Sequence, residues 1–260
     1  MAMRSSHGTR STSTEGRRER SLAMMPGALR AAWPIALVAA VALCCGNVTG
    51  PETPSDLLTG DAILNVRVHL LQSDEFEALN ATLDAADVVV LFAGANRIWE
   101  AAGVRWRIES VVREPARNAA AFDKIFRGEG TDRLDVMLSI FPRENLLADG
   151  WDVFVLRDFG RFGAGGVYIS FPEAQVAFVA EIGSSGEQRP SGSGPRVLAH
   201  ELGHSLGLQH VSCTTAGNLM APGCRGQDRT LLTAAQIRTV RQQAAKGRPF
   251  IGNLSVANQR

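Results

Sequence analysis

The sequence predicts an α/β (α+β) domain over residues 61–250, and three observations carry that prediction. Residues 62–71, 87–102 and 104–109 read as strand, helix and strand, an order that pairs parallel strands through a crossover helix. The hydrophobic share of 45% is that of an ordinary packed globular protein. Ahead of residue 61 the composition changes, with Pro51 and Pro54 standing among Thr and Ser in a linker over 47–60. No internal repeat is present, so one domain with appendages is expected.

Each element follows from its local pattern. Leu64-Asn65-Val66-Arg67-Val68-His69-Leu70 alternates apolar and polar side chains as a half-buried strand does. Val88, Leu91, Ala95, Ile98 and Trp99 make a broad apolar stripe on the helix 87–102, which Gly103 stops. Val104-Arg105-Trp106-Arg107-Ile108-Glu109 alternates again, so a second strand follows. Residues 119–127 suit a short helix, and 133–141 is predicted as a third strand ended by Pro142. Apolar runs at 152–156 and 166–171 flank the glycine-rich stretch 160–165, and 176–182 is the last run before a Gly/Ser-rich loop over 183–194. Pro195 suits the first turn of a helix capped by Ser193 or Gly194. Thr233-Ala234-Ala235-Gln236 has capping-box spacing and opens a final helix that closes near Lys246-Gly247, before Pro249. Residues 251–260 form a tail.

The helix opened by Pro195 carries the chemistry. The chain has five histidines, and three of them, His200, His204 and His210, crowd into one short stretch. Positions four apart on a helix lie one turn above each other, so His200 and His204 can aim at one point with Glu201 beside them. Gly207 lets the backbone leave the helix in a left-handed conformation, and His210 can then return with a third nitrogen. Leu198, Leu202 and Leu206 fall on the opposite side, so one face enters the core while the other meets a cleft. Three imidazoles leave a zinc ion (Zn2+) an open fourth position, which suits a catalytic rather than a closed structural site. No G-x-S-x-G and no phosphate-binding glycine loop competes with this constellation.

The full pattern, H-E-x-x-H-x-x-G-x-x-H over 200–210 followed by Asn218-Leu219-Met220-Ala221-Pro222, resembles the metzincin metalloproteases. The motif match covers 197–222, and its length from His210 to Pro222 resembles the matrixins in particular. The resemblance implies a twisted, mostly parallel five-stranded sheet with an antiparallel edge strand, two helices in the upper part, and the Met-turn and C-terminal helix below. It implies that His200, His204 and His210 bind one catalytic Zn2+, that Glu201 is the general base, and that Met220 underlies the metal without binding it. It also implies that Gly166 and Tyr168, on the expected edge strand, and Pro222, at the wall of the specificity pocket, meet substrate. The expected activity is zinc-dependent hydrolysis of peptide bonds in proteins, by an endopeptidase acting on a protein or peptide substrate. Val211 departs from the pattern, since matrixins usually carry Ser there and adamalysins Asp. The other class of function is a catalytically silent or lipid-anchored zinc-binding surface or adhesion module, against which the intact Glu201 counts.

A net charge of +1 and a pI near 7.8 exclude bulk attraction to nucleic acid or an anionic membrane. The arginines of 1–23 are local and read as a disordered basic leader, or an over-extended start ahead of Met24. Residues 24–46 carry a short apolar core behind Arg30, too short to span a bilayer, and read as a signal peptide. The chain is therefore expected to be exported, with Cys45 as the point where a lipid anchor would attach if this is a lipoprotein signal. Loss of Cys44 and Cys45 with the signal leaves Cys213 and Cys224, an isolated pair that an exported protein would join in a disulfide. Asp149-Gly150-Trp151-Asp152 matches no defined loop for structural calcium (Ca2+), and a solvated turn is expected. Nothing calls for a second subunit, so a monomer is expected.

Overall fold

Alternating sequence makes a strand with two different faces, and in the computed structural model β1 (Ala62–Gln72) is the strand on which both layers of the domain are built. The structure describes residues 60–129, 133–162, 165–172, 174–181, 193–222 and 229–252, so the leader, the signal and the linker lie outside it. Leu64, Val66, Val68 and Leu70 point to one side of β1 and His69 and Leu71 to the other, all buried.

The helix α1 (Ala85–Trp99) begins at Asp84, whose carboxylate accepts from the amides of Ala86 and Asp87 while Asp87 reaches back in a capping box. It buries Val88, Leu91, Phe92, Ala95 and Trp99, and a single helical-type turn, Glu100–Ala102, ends at Gly103 with φ 63°. The chain then enters β2 (Val104–Pro115), parallel to β1, which completes the crossover expected from the sequence. A short α2 (Ala119–Phe126) follows.

Residues 133–141, expected as a strand, instead hold α3 (Arg133–Ser139). Alternating Leu134, Val136 and Leu138 permit a strand, but Met137 is the residue buried within the helix, and Ile140 and Phe141 complete the apolar patch beyond it. Short apolar runs fit either period, and packing against Phe122 and Ile125 of α2 decides for the helix.

Three strands complete the sheet, β3 (Trp151–Leu156), β4 (Gly166–Phe171) and β5 (Ala174–Ala180), giving the order β2-β1-β3-β5-β4. β1 pairs in parallel with β2 and β3, and β3 with β5, while β4 alone runs antiparallel at the edge. A mostly parallel five-stranded sheet with an antiparallel edge is thus the architecture. β3 is buried along its whole length, as a central parallel strand covered on both faces must be. One face packs on α1 and on α4 (Gly194–Ser205); the other is closed by α2, α3 and the phenylalanines Phe141, Phe154 and Phe178. The helix α5 (Ala234–Ala244) adds Val240 and Ala244 to the first core.

Inside the second face sits a polar cluster that the sequence did not announce. His69 is fully buried, stacks on Phe154 at 4.2 Å, and places its Nδ1 against Glu114 and its Nε2 2.8 Å from Asp152. Asn145 donates to the second oxygen of Glu114, and the Leu147 amide donates to Asp152 at 3.0 Å. The expectation of a solvated turn therefore fails at Asp152, which is buried and whose oxygens serve a buried imidazole and an amide. The cluster joins neighbouring strands β2, β1 and β3 through one residue of each. Removing the imidazole leaves two buried carboxylates without this shared partner, at about 3–5 kcal/mol. We expect His69→Leu to lower unfolding stability by about that amount in urea titration; a loss below about 1 kcal/mol would mean that the cluster is only a packing filler.

Candidate metal centre

The helix α4 has Ser193 as its N-cap residue, without a side-chain cap bond, and Pro195 in the first turn. Leu198, Leu202 and Leu206 are fully buried against the core, as their spacing requires. The helix ends in a Schellman arrangement: the Gly207 amide bonds the His204 carbonyl at 2.9 Å and the Leu208 amide the Gly203 carbonyl at 3.0 Å. Gly207 sits at φ 83°, the left-handed conformation that the sequence pattern demanded of it. The chain turns there and brings His210 back beneath the helix.

His200, His204 and His210 converge, with Nε2 of His210 3.0 Å from Nε2 of both His200 and His204. Two carbonyls set the tautomers. Nδ1 of His200 lies 2.8 Å from the Leu219 carbonyl and Nδ1 of His204 2.7 Å from the Leu208 carbonyl. A carbonyl only accepts, so each Nδ1 carries the proton and each Nε2 presents a lone pair. Burial holds His200 down to about 4 and His204 to about 3, and lowers His210 too, so all three are neutral at pH 7. The Nε2 lone pairs of His200 and His204 both face Nε2 of His210 at 3.0 Å, and three nitrogen donors so gathered suit zinc. These residues fit the ion that the sequence pattern implies.

Glu201 is 4% exposed, lies between α4 and β4, and its Oε2 has no hydrogen-bond partner. The Tyr168 amide bonds its carboxyl, while burial raises it from 4.5 to about 8. Gly166 is required here for space: a Cβ at this position would stand 2.5 Å from Cγ of Glu201. The edge strand thus gives Glu201 its seat through Gly166. The Tyr168 side chain takes another part, since it is buried and its hydroxyl donates to the Phe250 carbonyl at 2.9 Å. Pro222 is half-buried, just beyond Met220 and Ala221.

Met220 is fully buried beneath the helix. A Cβ on Gly203 would lie 2.7 Å from its sulfur, so Gly203, which the motif leaves as any residue, is what lets the methionine approach. The turn is tied from three sides. The Val211 amide donates to the Met220 carbonyl, the Leu219 amide to the Leu231 carbonyl, and Asn218 accepts from the Met220 amide. Asn218 in turn exchanges hydrogen bonds of 2.8 and 3.1 Å with the Gln236 side chain, the capping-box residue of α5. Sequence reasoning used Thr233 and Gln236 only as a helix start; Asn218 next to the Met-turn was the available signal for the link. Cys213 is exposed at the far end of this loop, and Cys224 lies outside the described residues.

No protein-family model matches the chain, and no curated protein does. Among solved structures it is similar to a chaperone–substrate complex, at 16% identity over 71% of this chain and 35% of that one, with a TM-score of 0.42. Mature mirolysin of Tannerella forsythia, in complex with a cleaved peptide, matches at 13% identity over 74% of this chain and all of that one, TM-score 0.44. Metalloproteinase-II from Bacteroides fragilis matches at 12% identity over 70% of this chain and 53% of that one, TM-score 0.41. The chain thus spans about a third of the first of these and about half of the last. Similarity at this level leaves the chemistry to be inferred from this chain's own residues.

The lowered imidazoles have a consequence for stability. In the unfolded chain His200 and His204 take up protons near 6.5, whereas in the fold they do so near 4 and 3. Between those values the unfolded state binds more protons, so stability falls as pH falls. Glu201, raised to about 8, acts in the opposite sense above 4.5. We expect the thermal midpoint of metal-free protein to drop on going from about pH 6.5 to about pH 5, and to drop less in His204→Gln. Equal slopes in the two proteins would clear the imidazoles of responsibility.

Proposed function

We propose that this chain is a zinc-dependent endopeptidase of the metzincin type, hydrolysing peptide bonds of protein substrates. The observation that supports it best is the pairing of two features in one place: three neutral imidazoles whose Nε2 atoms converge, and a buried carboxyl with an unpartnered oxygen beside them. A structural zinc site would fill its fourth position with another side chain, and the described residues bring no fourth His, Cys, Asp or Glu to the cluster.

His200, His204 and His210 would hold the ion. When bound, zinc supplies Lewis acidity, lowering the pKa of its water and polarising the scissile carbonyl. Glu201 takes the proton of the attacking water on its free Oε2 and hands it to the departing amine. Burial alone keeps Glu201 protonated at pH 7, and positive charge at the three nitrogens favours its ionised form. β4, antiparallel at the sheet edge with no strand beyond it among the described residues, offers main-chain groups to an extended peptide. Met220 and Gly203 hold the helix and the turn in register, so their part is positioning.

The same proposal includes export through the 24–46 signal, a monomer, a Cys213–Cys224 disulfide across the Met-turn loop and a matrixin-like subtype. It rests for these on sequence pattern alone. Val211, half-buried against the first core, bonds the Met220 carbonyl through its amide, a role that its apolar side chain does not disturb.

Two measurements test the reading. Glu201→Gln should retain zinc and lose about a hundredfold or more in the hydrolysis of an unfolded protein, while His210→Ala should lose zinc affinity; a Glu201→Gln enzyme with undiminished turnover sinks the assignment. Because the imidazoles are already neutral and Glu201 is not ionised, zinc binding at pH 7 should release about one proton, seen by calorimetry in buffers of different ionisation heat. Glu201→Gln should reduce that release to the part supplied by the zinc-bound water, and a release unchanged by the substitution would place the proton elsewhere.

A further inference from the structure

Arg229 follows Met220 by nine positions, and among the described residues its guanidinium is held at one end only. Nη1 donates to the carbonyl of Ala221, the residue next to Met220. Nε is buried and has no partner. Among the described residues no carboxylate pairs with Arg229, although the chain as a whole carries nearly as many acidic as basic side chains, 26 against 27. A second cation is near. Arg196, one helical turn before His200 on α4, lies within electrostatic reach of Arg229, and both reach His200.

The Arg229 cation beside the imidazoles, with a buried N–H that no described residue satisfies, is an arrangement that costs stability unless something anionic completes it. A guanidinium has five N–H donors; the bond to Ala221 uses one and the buried Nε–H is out of a ligand's reach, so among the described residues it is the Nη end that is left to take both oxygens of a carboxylate. Its tether to Ala221 fixes it relative to Met220 and Leu219, and Leu219 is the residue that orients His200. A group bound there is therefore held at a set place relative to the metal nitrogens. We propose that Arg229 is a specificity-determining residue, binding a carboxylate of the peptide substrate beside the His200–His204–His210 centre. This rests on the peptidase reading given above. The carboxylate comes from an acidic side chain near the scissile bond or from the C-terminus of a short substrate; the chemistry is shared, and the two sources part in the test.

The test uses the full zinc-loaded chain, as wild type and as Arg229→Gln. The probes are otherwise neutral decapeptides of Ala, Gly and Leu with one Glu or one Gln at each position in turn, each made as free acid and as C-terminal amide. Cleavage is read as kcat/KM, and binding of the same peptides to Glu201→Gln protein is read by fluorescence anisotropy. Wild type should favour Glu over Gln at one position, or acid over amide, by about tenfold or more, a preference that weakens with salt. In Arg229→Gln the rate on the favoured peptide should fall about tenfold further than on its neutral twin. A gain at one Glu position assigns a side-chain carboxylate, and a gain confined to free acids assigns the chain terminus. If wild type cleaves with both ratios near one, or if the substitution lowers both members of a pair equally, Arg229 merely props the turn and the proposal is overturned. Should no peptide be cleaved, the peptidase reading fails, and the anisotropy arm still decides: a preference lost in Arg229→Gln sustains carboxylate recognition, and equal affinities overturn it.

Discussion

Two backbone carbonyls govern the centre of this molecule. The Leu219 and Leu208 carbonyls each accept a hydrogen bond from the Nδ1–H of a histidine, and by doing so decide that the other ring nitrogen faces inward without a proton. Neither carbonyl belongs to the helix body that carries the histidines. One comes from the Met-turn and one from the loop behind Gly207, so the electronic state of the site depends on loops being held as firmly as the helix. A pattern of residue types can place imidazoles on one face; it takes the surrounding backbone to choose their tautomers.

Those loops are held by elements remote in the chain. The Asn218–Gln236 pair ties the Met-turn to the first turn of α5, and Gln236 at the same moment closes the cap on Thr233. One side chain therefore starts a helix and stops a loop from drifting. Packing completes what the hydrogen bonds begin. Met220 fills the space left by the missing side chain of Gly203, and Glu201 occupies what a side chain at Gly166 would take. Both glycines permit a close approach without any need for unusual backbone angles, since neither has positive φ.

Much of this was legible before the structure. The crossover, the sheet edge at 166–171, the leucine face of α4, the left-handed turn at Gly207 and the capping box at Thr233 all follow from local patterns, because each depends on residues within about one turn or strand. What escaped depends on partners far away in sequence. Residues 133–141 have a period that suits a strand, and only the surface offered by α2 makes them helical. Asp152 in an acidic turn looks like a solvated residue until His69, 83 positions earlier, is brought against it. Tyr168 on an edge strand suggests contact with substrate, yet the backbone carbonyl of Phe250, 82 positions later, claims its hydroxyl. Gly203 was hidden for a different reason, as the reason for its smallness, Met220, sits on another segment.

Phe250 draws these threads to one place. Its amide satisfies the Ser205 carbonyl at the open end of α4, and its own carbonyl receives both Tyr168 and Ser170 from the edge strand. The helix that bears the histidines is thus tied off by a residue synthesised well after it. During synthesis the three imidazoles and Glu201 exist for an interval without this tie, their loops not yet anchored by α5 or by Phe250. A chain cut before Phe250 would leave the Ser205 carbonyl and the Tyr168 and Ser170 hydroxyls without this partner.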